Sequence, residues 1–538
     1  MNYEFSRNAE LYAGLADTSR EKGDLKKAAE YLLEALRLGE SDETRLTLAS
    51  VYSEMGQLEM SNAECYKLLA KDPSDSDSLF ILSGNLAEKR NFRAAYYYFS
   101  RLDDNGLDLS EFFPMDEDDE FDERTRGFKL VYSNGRRDCS DLTERAEIHI
   151  ALKDFKSAIK VLGSIPKNSV EYPWARKMLM YCHYMNEDYM SAIDIASELI
   201  KSDSEDIPLL SALYNIYVET GDKENAEKAV ERLSKIKPKD LDDMMKSSGC
   251  LMDAKRYGDV IIMLTEGAEL YPYDDNLLLM LSSAHHLSGN TLKAKSILRE
   301  LINVYGDRTN ARYFMECING DCKFDGGIYL GIPSSLALKK MSSLEKASAD
   351  PELFEHNFIY HKEFRDAIRW RIKTSPDDDF SYMLITDIGL LRKSASTAFL
   401  EELLMCNQVS SEAKITALYY LLTINRKKHI PLVSEDYLRS IIPMDSKLPV
   451  VIREAYAICA VNLAPLIGSY EEPLYKAFLT TADKLGAQLS RMHSPEAFAS
   501  LVVFTSKELN VSEDIKVIAG LFGASLPTLK KYLKFLEQ

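Results

Sequence analysis

The stretch that decides the fold is 207–238, IPLLSALYNIYVETGDKENAEKAVERLSKIKP. Leu210, Leu213 and Tyr217 recur three and four residues apart, the spacing of one helix face. Gly221-Asp222 ends that run, because glycine enters the left-handed backbone of a helix C-terminus without a Cβ clash. Ala226, Val230 and Leu233 begin a second stripe, and Pro238 closes the unit. The segment reads as two antiparallel helices with a small residue where their backbones approach.

Working outward, the unit repeats. Upstream lie Tyr12, Leu15, Ala16, Gly23-Asp24, Ala28, Leu32 and Ala35. Then come Leu48, Ala49, Tyr52, Gly56-Gln57, Ser61, Cys65 and Leu68, followed by Leu79, Leu82, Ser83, Asn91-Phe92, Ala95 and Phe99. After a break the pattern resumes at Asp154-Phe155 with Ala158, and again at Asp188-Tyr189 with Ala192. Two more units pass through Arg256-Tyr257 and through Gly289-Asn290. Eight units at a period of 33–34 residues resemble the tetratricopeptide repeat family, over about 9–102 and 140–305. The fourth and seventh depart most, with Arg145 and Ser247 at apolar positions of the first helix. The resemblance implies a superhelical solenoid whose first helices line a concave, peptide-binding surface.

The break, 103–140, is an acidic insertion: Asp103–Arg124 holds eleven acidic residues and one basic. It reads as a solvated loop, or as a tethered pseudo-ligand for the protein's own groove. Beyond 306 the period fades. We expect a linker over 306–349 and a HEAT-like helical domain over 350–470, with helices at 353–373, 380–393, 396–407, 411–426, 434–442 and 448–467. The segment 471–538 resembles a helix-turn-helix and the end of a cyclin-like fold. Ile518, Phe522 and Leu529 would form its core, Gly523 its turn and Ser525 the next N-cap. The expected class is all-α.

Composition narrows the function. The net charge of −19 argues against nonspecific nucleic-acid coating. Eight scattered cysteines read as reduced thiols of a soluble cytoplasmic protein, and no apolar run is long enough to span a membrane. Cys317 and Cys322 lack the partners of a zinc site. No phosphate-binding glycine loop, nucleophile elbow or paired metal-ligand histidines occur, so neither catalytic residues nor cofactors are expected.

The expected activity is non-enzymatic: a scaffold or adaptor that binds a protein segment in the repeat groove. Some family members clamp a C-terminal carboxylate with Lys, Asn and Arg. Here Ala13, Asp17, Asp77, Ile81, Tyr181 and Asp242 occupy such slots, so that clamp is not reproduced. The groove candidates are instead Trp174, Lys177, Tyr181, Tyr184, Asn215, Val218, Met245, Met252, Leu279 and His286, an aromatic and methionine-rich set suited to apolar peptide. The alternative is a transcription regulator that touches DNA through Thr528, Lys530, Lys531 and Lys534. The local charge of only +1 over 491–538 weighs against it.

Overall fold

The structure is a computed structural model. It describes residues 8–102, 139–306, 310–320, 334–375, 378–424, 428–445, 447–463, 471–509, 511–512 and 514–536. The acidic run 103–138 and the glycine-rich 321–333, with Cys322, lie outside the described residues. The chain forms two compact units: Met1–Phe113 with Ala337–Gln538, and Pro114–Leu336.

The first unit opens with three helix pairs: α1 (Ala9–Glu21) with α2 (Leu25–Leu38), α3 (Asp42–Glu54) with α4 (Leu58–Leu69), and α5 (Ser76–Glu88) with α6 (Phe92–Phe99). The second unit holds five: α7 (Ser140–Ala151) with α8 (Phe155–Gly163), α9 (Tyr172–Met185) with α10 (Tyr189–Ser202), and α11 (Ile207–Glu219) with α12 (Lys223–Leu233). Next come α13 (Leu241–Asp253) with α14 (Tyr257–Leu270), and α15 (Asp275–Leu287) with α16 (Thr291–Tyr305).

One backbone device recurs in all eight. The residue ending each first helix is left-handed: Gly23, Gly56, Gly221 and Gly289, but also Arg90, Lys153, Glu187 and Lys255, with φ between 57 and 93°. The following residue caps the second helix. Asp24, Asn91, Asp154, Asp188, Asp222 and Asn290 each accept a backbone N–H three residues on. Gln57 and Arg256 make no such cap bond. Ala16, Ala28, Ala49 and Ala95 are buried where the helices meet.

The two aberrant units differ in how their slot is buried. The slot of Arg145 is filled by buried Leu48, Leu82, Leu179, Leu213 and Leu281 elsewhere. In α7 Arg145 and Ile148 are exposed. Ser247 is buried, and its hydroxyl has no hydrogen-bond partner.

The expected linker 306–349 contains helices α17 (Ala311–Ile318) and α18 (Ser334–Ser348). The rest of the first unit is built on α19 (Pro351–Tyr360), α20 (Lys362–Thr374), α21 (Asp379–Leu391), α22 (Ser394–Leu404), α23 (Ser411–Ile424), α24 (Val450–Asn462), α25 (Glu471–Leu485), α26 (Pro495–Thr505), α27 (Ile515–Leu521) and α28 (Leu526–Leu536). The helix expected over 353–373 breaks at His361, where Arg365 Nη1 donates to the carbonyls of Phe358 and Ile359 at 2.6 and 2.9 Å. Phe358, Phe399, Leu418, Tyr456, Phe478 and Phe498 anchor one continuous core that reaches Ile518 and Leu529.

The expected helix over 434–442 is a correction. Strands β1 (Ile430–Ser434) and β2 (Tyr437–Ile441) pair antiparallel, Ile430 opposite Ile441 and Ser434 opposite Tyr437. The hairpin buries both faces: Ile430, Leu432 and Ile441 join one core cluster, and Val433 and Tyr437 another, with β-branched and aromatic residues that favour strands. Glu435 and Asp436 form the two-residue turn with φ of 48 and 67°, the doubly left-handed geometry that suits strand twist.

Candidate functional site

The first-helix residues expected to form the groove all lie in the second unit. Tyr181 on α9 is 38% exposed and Val218 on α11 is 54% exposed; Asn215 is exposed too. Trp174 and Tyr184 are partly buried against the repeat core, with the Tyr184 ring 6.1 Å from that of Tyr189. Lys177 Nζ lies 2.5 Å from Asp206 Oδ2, tying its charge to the N-cap of α11. Met245 and His286 are half-buried, and burial lowers the His286 pKa. Met252 and Leu279 are corrections: both are buried, because α15 is enclosed continuously from Leu277 to His285 and α13 is covered at Met252. The open strip therefore belongs to α9 and α11.

Sequence reasoning missed exposed Met185, two positions before the α9 turn, and exposed Ile148 and Leu152 on and just after α7. It also missed a cleft of about 950 Å³ between α10, α11 and α12, floored by Ile200, Leu213 and Tyr217 and rimmed by Glu224, Lys228 and Arg232. None of the ten groove candidates lines it.

The second feature joins distant parts of the first unit. The tip of the β1–β2 hairpin inserts against repeats two and three. Tyr66 and Tyr98 donate their hydroxyls to the Asp436 carbonyl at 3.1 and 2.9 Å. The Asp436 carboxylate accepts Asn91 Nδ2 at 2.9 Å and Asn407 Nδ2 at 2.8 Å, and Lys89 Nζ stands 3.5 Å away. Leu438 N donates to the Tyr98 hydroxyl at 2.8 Å, and Arg439 Nη1 to the Tyr97 hydroxyl at 2.8 Å. Val433 and Tyr437 share one apolar cluster with Leu79, Leu82 and Phe99. Beneath the hairpin, Lys414 Nζ donates to the Val433 carbonyl at 2.7 Å, and burial pulls its pKa down to about 8. The hairpin thus covers the trailing face of repeat three.

At the carboxyl end, Gly523 takes φ 67° between α27 and α28, and Ile518, Ala519, Phe522 and Leu529 are buried. The Tyr532 hydroxyl accepts the backbone N–H of His493 and Ser494 at 2.8 and 3.0 Å. Lys530, Lys531 and Lys534 are exposed and Thr528 half-buried; the Lys531 ammonium lies 5.8 Å from the Phe535 ring. Six of the seven described cysteines are buried. Burial raises Cys65 to about 12 and Cys182 and Cys250 to about 11, which makes them inert packing groups. Among the described residues no cluster of His, Cys, Asp and Glu could hold a metal ion, and no helix is long and apolar enough to cross a membrane.

Comparison with known proteins agrees with the helix pairs. The tetratricopeptide repeat profile matches residues 9–41, the α1–α2 pair, and 215–240, the end of α11 with α12. No curated protein matches the chain. Among solved structures, the P58(IPK) TPR domain is similar at 15% identity, over 72% of this chain and 99% of that one, with a TM-score of 0.20. Yeast Tom70 is similar at 14%, over 90% and 96%, with a TM-score of 0.22. Naa15/Naa10 bound to HypK-THB is similar at 12%, over 98% and 88%, with a TM-score of 0.26. None of these matches supports the DNA-binding alternative. Repeats of the matched kind build protein-interaction scaffolds, and with two matched segments among eight helix pairs of one layout, this chain carries tetratricopeptide repeats.

Proposed function

We propose that the protein is a stoichiometric, non-enzymatic adaptor in a reducing, cytoplasmic compartment, and that it holds a partner's peptide segment on the first helices of the second unit. The observation that carries this is the exposure of Tyr181, Met185 and Val218, three large apolar side chains on the consecutive first helices α9 and α11. Tyr181 stands edge-on to Phe155 at 6.4 Å, which holds the ring without covering it. Met185 supplies an adaptable contact. Trp174 acts as a packing residue behind this strip.

The test is quantitative affinity capture with the full chain and with Tyr181→Ala/Val218→Ala. A specific partner should be depleted at least tenfold by the double variant, the scale of an aromatic hot spot of about 2 kcal/mol, with the thermal midpoint unmoved. Equal capture by both proteins refutes this placement of the groove.

A further inference from the structure

The first three repeats carry, on three consecutive first helices, a pattern that is complete elsewhere only in the seventh. Counted back from each left-handed turn residue, identical positions line up across α1, α3 and α5. Thirteen residues before the turn stand Glu10, Glu43 and Asp77; two before it stand Glu21, Glu54 and Glu88. All six are exposed. Ten before the turn runs an apolar row, Ala13, Leu46 and Phe80, and the Phe80 ring is 57% exposed. In the second unit only α13 is acidic at both positions, Asp242 and Asp253, with Asp242 paired to Lys246, and α11 is acidic at one, Glu219.

The charge on this face is unbalanced. Helices α1, α3 and α5 contain eight acidic residues and two bases, Arg20 and Arg45. Arg45 is buried and engaged by Glu40 and Glu64; Arg20 is engaged by Glu54 and Ser50. Among the described residues, Glu10, Glu43, Asp77, Glu21 and Glu88 face no cation. Gly84 sits in the interior of α5 on the same stripe as Asp77, Phe80 and Glu88, and a Cβ there would meet nothing within 4 Å. Glycine is disfavoured inside a helix, and no neighbour requires it here. Its effect is to leave the backbone open to close approach from outside.

We propose that the first-helix face of α1, α3 and α5 is a docking surface for a lysine- and arginine-rich segment of a partner protein, seated with an apolar side chain against Leu46 and Phe80. Eleven residues separate the two carboxylate rows, about 16 Å along each helix at roughly 1.5 Å per residue. A segment laid across the three helices between the rows, with cations on both flanks, reaches both. The sign of the face excludes nucleic acid and anionic lipid as occupants. This surface is separate from the Tyr181–Val218 strip and does not depend on it.

The test uses the full chain and a fluorescent octapeptide of six lysines and two leucines, read by anisotropy at two salt concentrations. Glu10→Gln/Glu43→Gln/Asp77→Asn should weaken binding about tenfold and flatten its salt dependence, the sum of three exposed ion pairs. Phe80→Ala should weaken it severalfold with the salt dependence retained. An equal charge change elsewhere, Asp194→Asn/Glu266→Gln/Glu269→Gln at exposed carboxylates of the second unit, should leave affinity within twofold, as should Tyr181→Ala/Val218→Ala. The proposal is overturned if both charge variants weaken binding alike, if neither does, or if a six-glutamate peptide binds as tightly.

Discussion

Replacing Asp436 with alanine tests whether the hairpin closes the first repeat run. The change removes the acceptor of two side-chain amides, Asn91 and Asn407, at 2.9 and 2.8 Å. Hydrogen bonds to a charged group contribute about 1.5–3 kcal/mol each; both donors are only half-buried and recover some water, so the lower figure applies. Lys89 keeps Glu59 and loses little. The carbonyl that receives Tyr66 and Tyr98 survives, but alanine fits φ 67° worse than aspartate, by about 1 kcal/mol. The expected loss is about 4 kcal/mol. Asp436→Asn keeps one acceptor oxygen and the turn preference, and should lose about half as much. Hydrogen exchange read by mass spectrometry is the assay: amides of α4, α6, α23 and the hairpin should lose protection together, while α9–α12 remain unchanged. A loss below about 1 kcal/mol, or deprotection confined to 430–441, would refute the reasoning.

Two other outcomes follow from the backbone and from Lys414. Arg90→Gly, Lys153→Gly, Glu187→Gly and Lys255→Gly should each stabilise by about 0.5–1 kcal/mol. Relief of left-handed strain is worth about 1–2 kcal/mol and exceeds the added freedom of the unfolded chain; urea midpoints that fall in all four would contradict the strain. Lys414 binds its proton less tightly folded, near pH 8, than unfolded, near 10.5. The unfolded state therefore holds more protons between those values, and stability from this group rises with pH across that window, by on the order of 3 kcal/mol. Lys414→Met should abolish that rise relative to the parent; parallel stability curves from pH 7 to 10.5 would show that the ammonium is not desolvated.

The repeats were legible because their signals are local. Gly221-Asp222 and its equivalents mark turns whatever surrounds them, and an apolar stripe needs only its own helix. The hairpin was not legible, because SEDYLRSII has the length at which a buried strand and a short helix share one apolar pattern, and Glu435-Asp436 is no glycine turn. Asp436 looks like any surface aspartate until residues more than 300 positions away arrive beside it. For the groove, register identified which residues lie on first-helix faces but not which faces stay open. Val218 is exposed, yet Met252 at the same position of the next repeat is buried. A partial warning was present in NLLLMLSSA, a helix without a polar side. The clustering of carboxylates at two fixed positions was visible in the sequence as well, but only once the turn residues fixed the register.

The docking of the hairpin on the third repeat has a consequence for synthesis. Tyr98 and Tyr66 meet their partner 338 and 370 residues later in the chain. At roughly 5–20 residues per second, a ribosome takes about 17–75 s to cover that interval. Throughout it the trailing face of α6, with Tyr98 and Phe99, has no hairpin to cover it, while all five helix pairs of the second unit emerge and can fold. The nascent chain therefore completes its middle before its beginning, and the exposed end of the first repeats is the surface that a chaperone would have to shield until Asp436 appears.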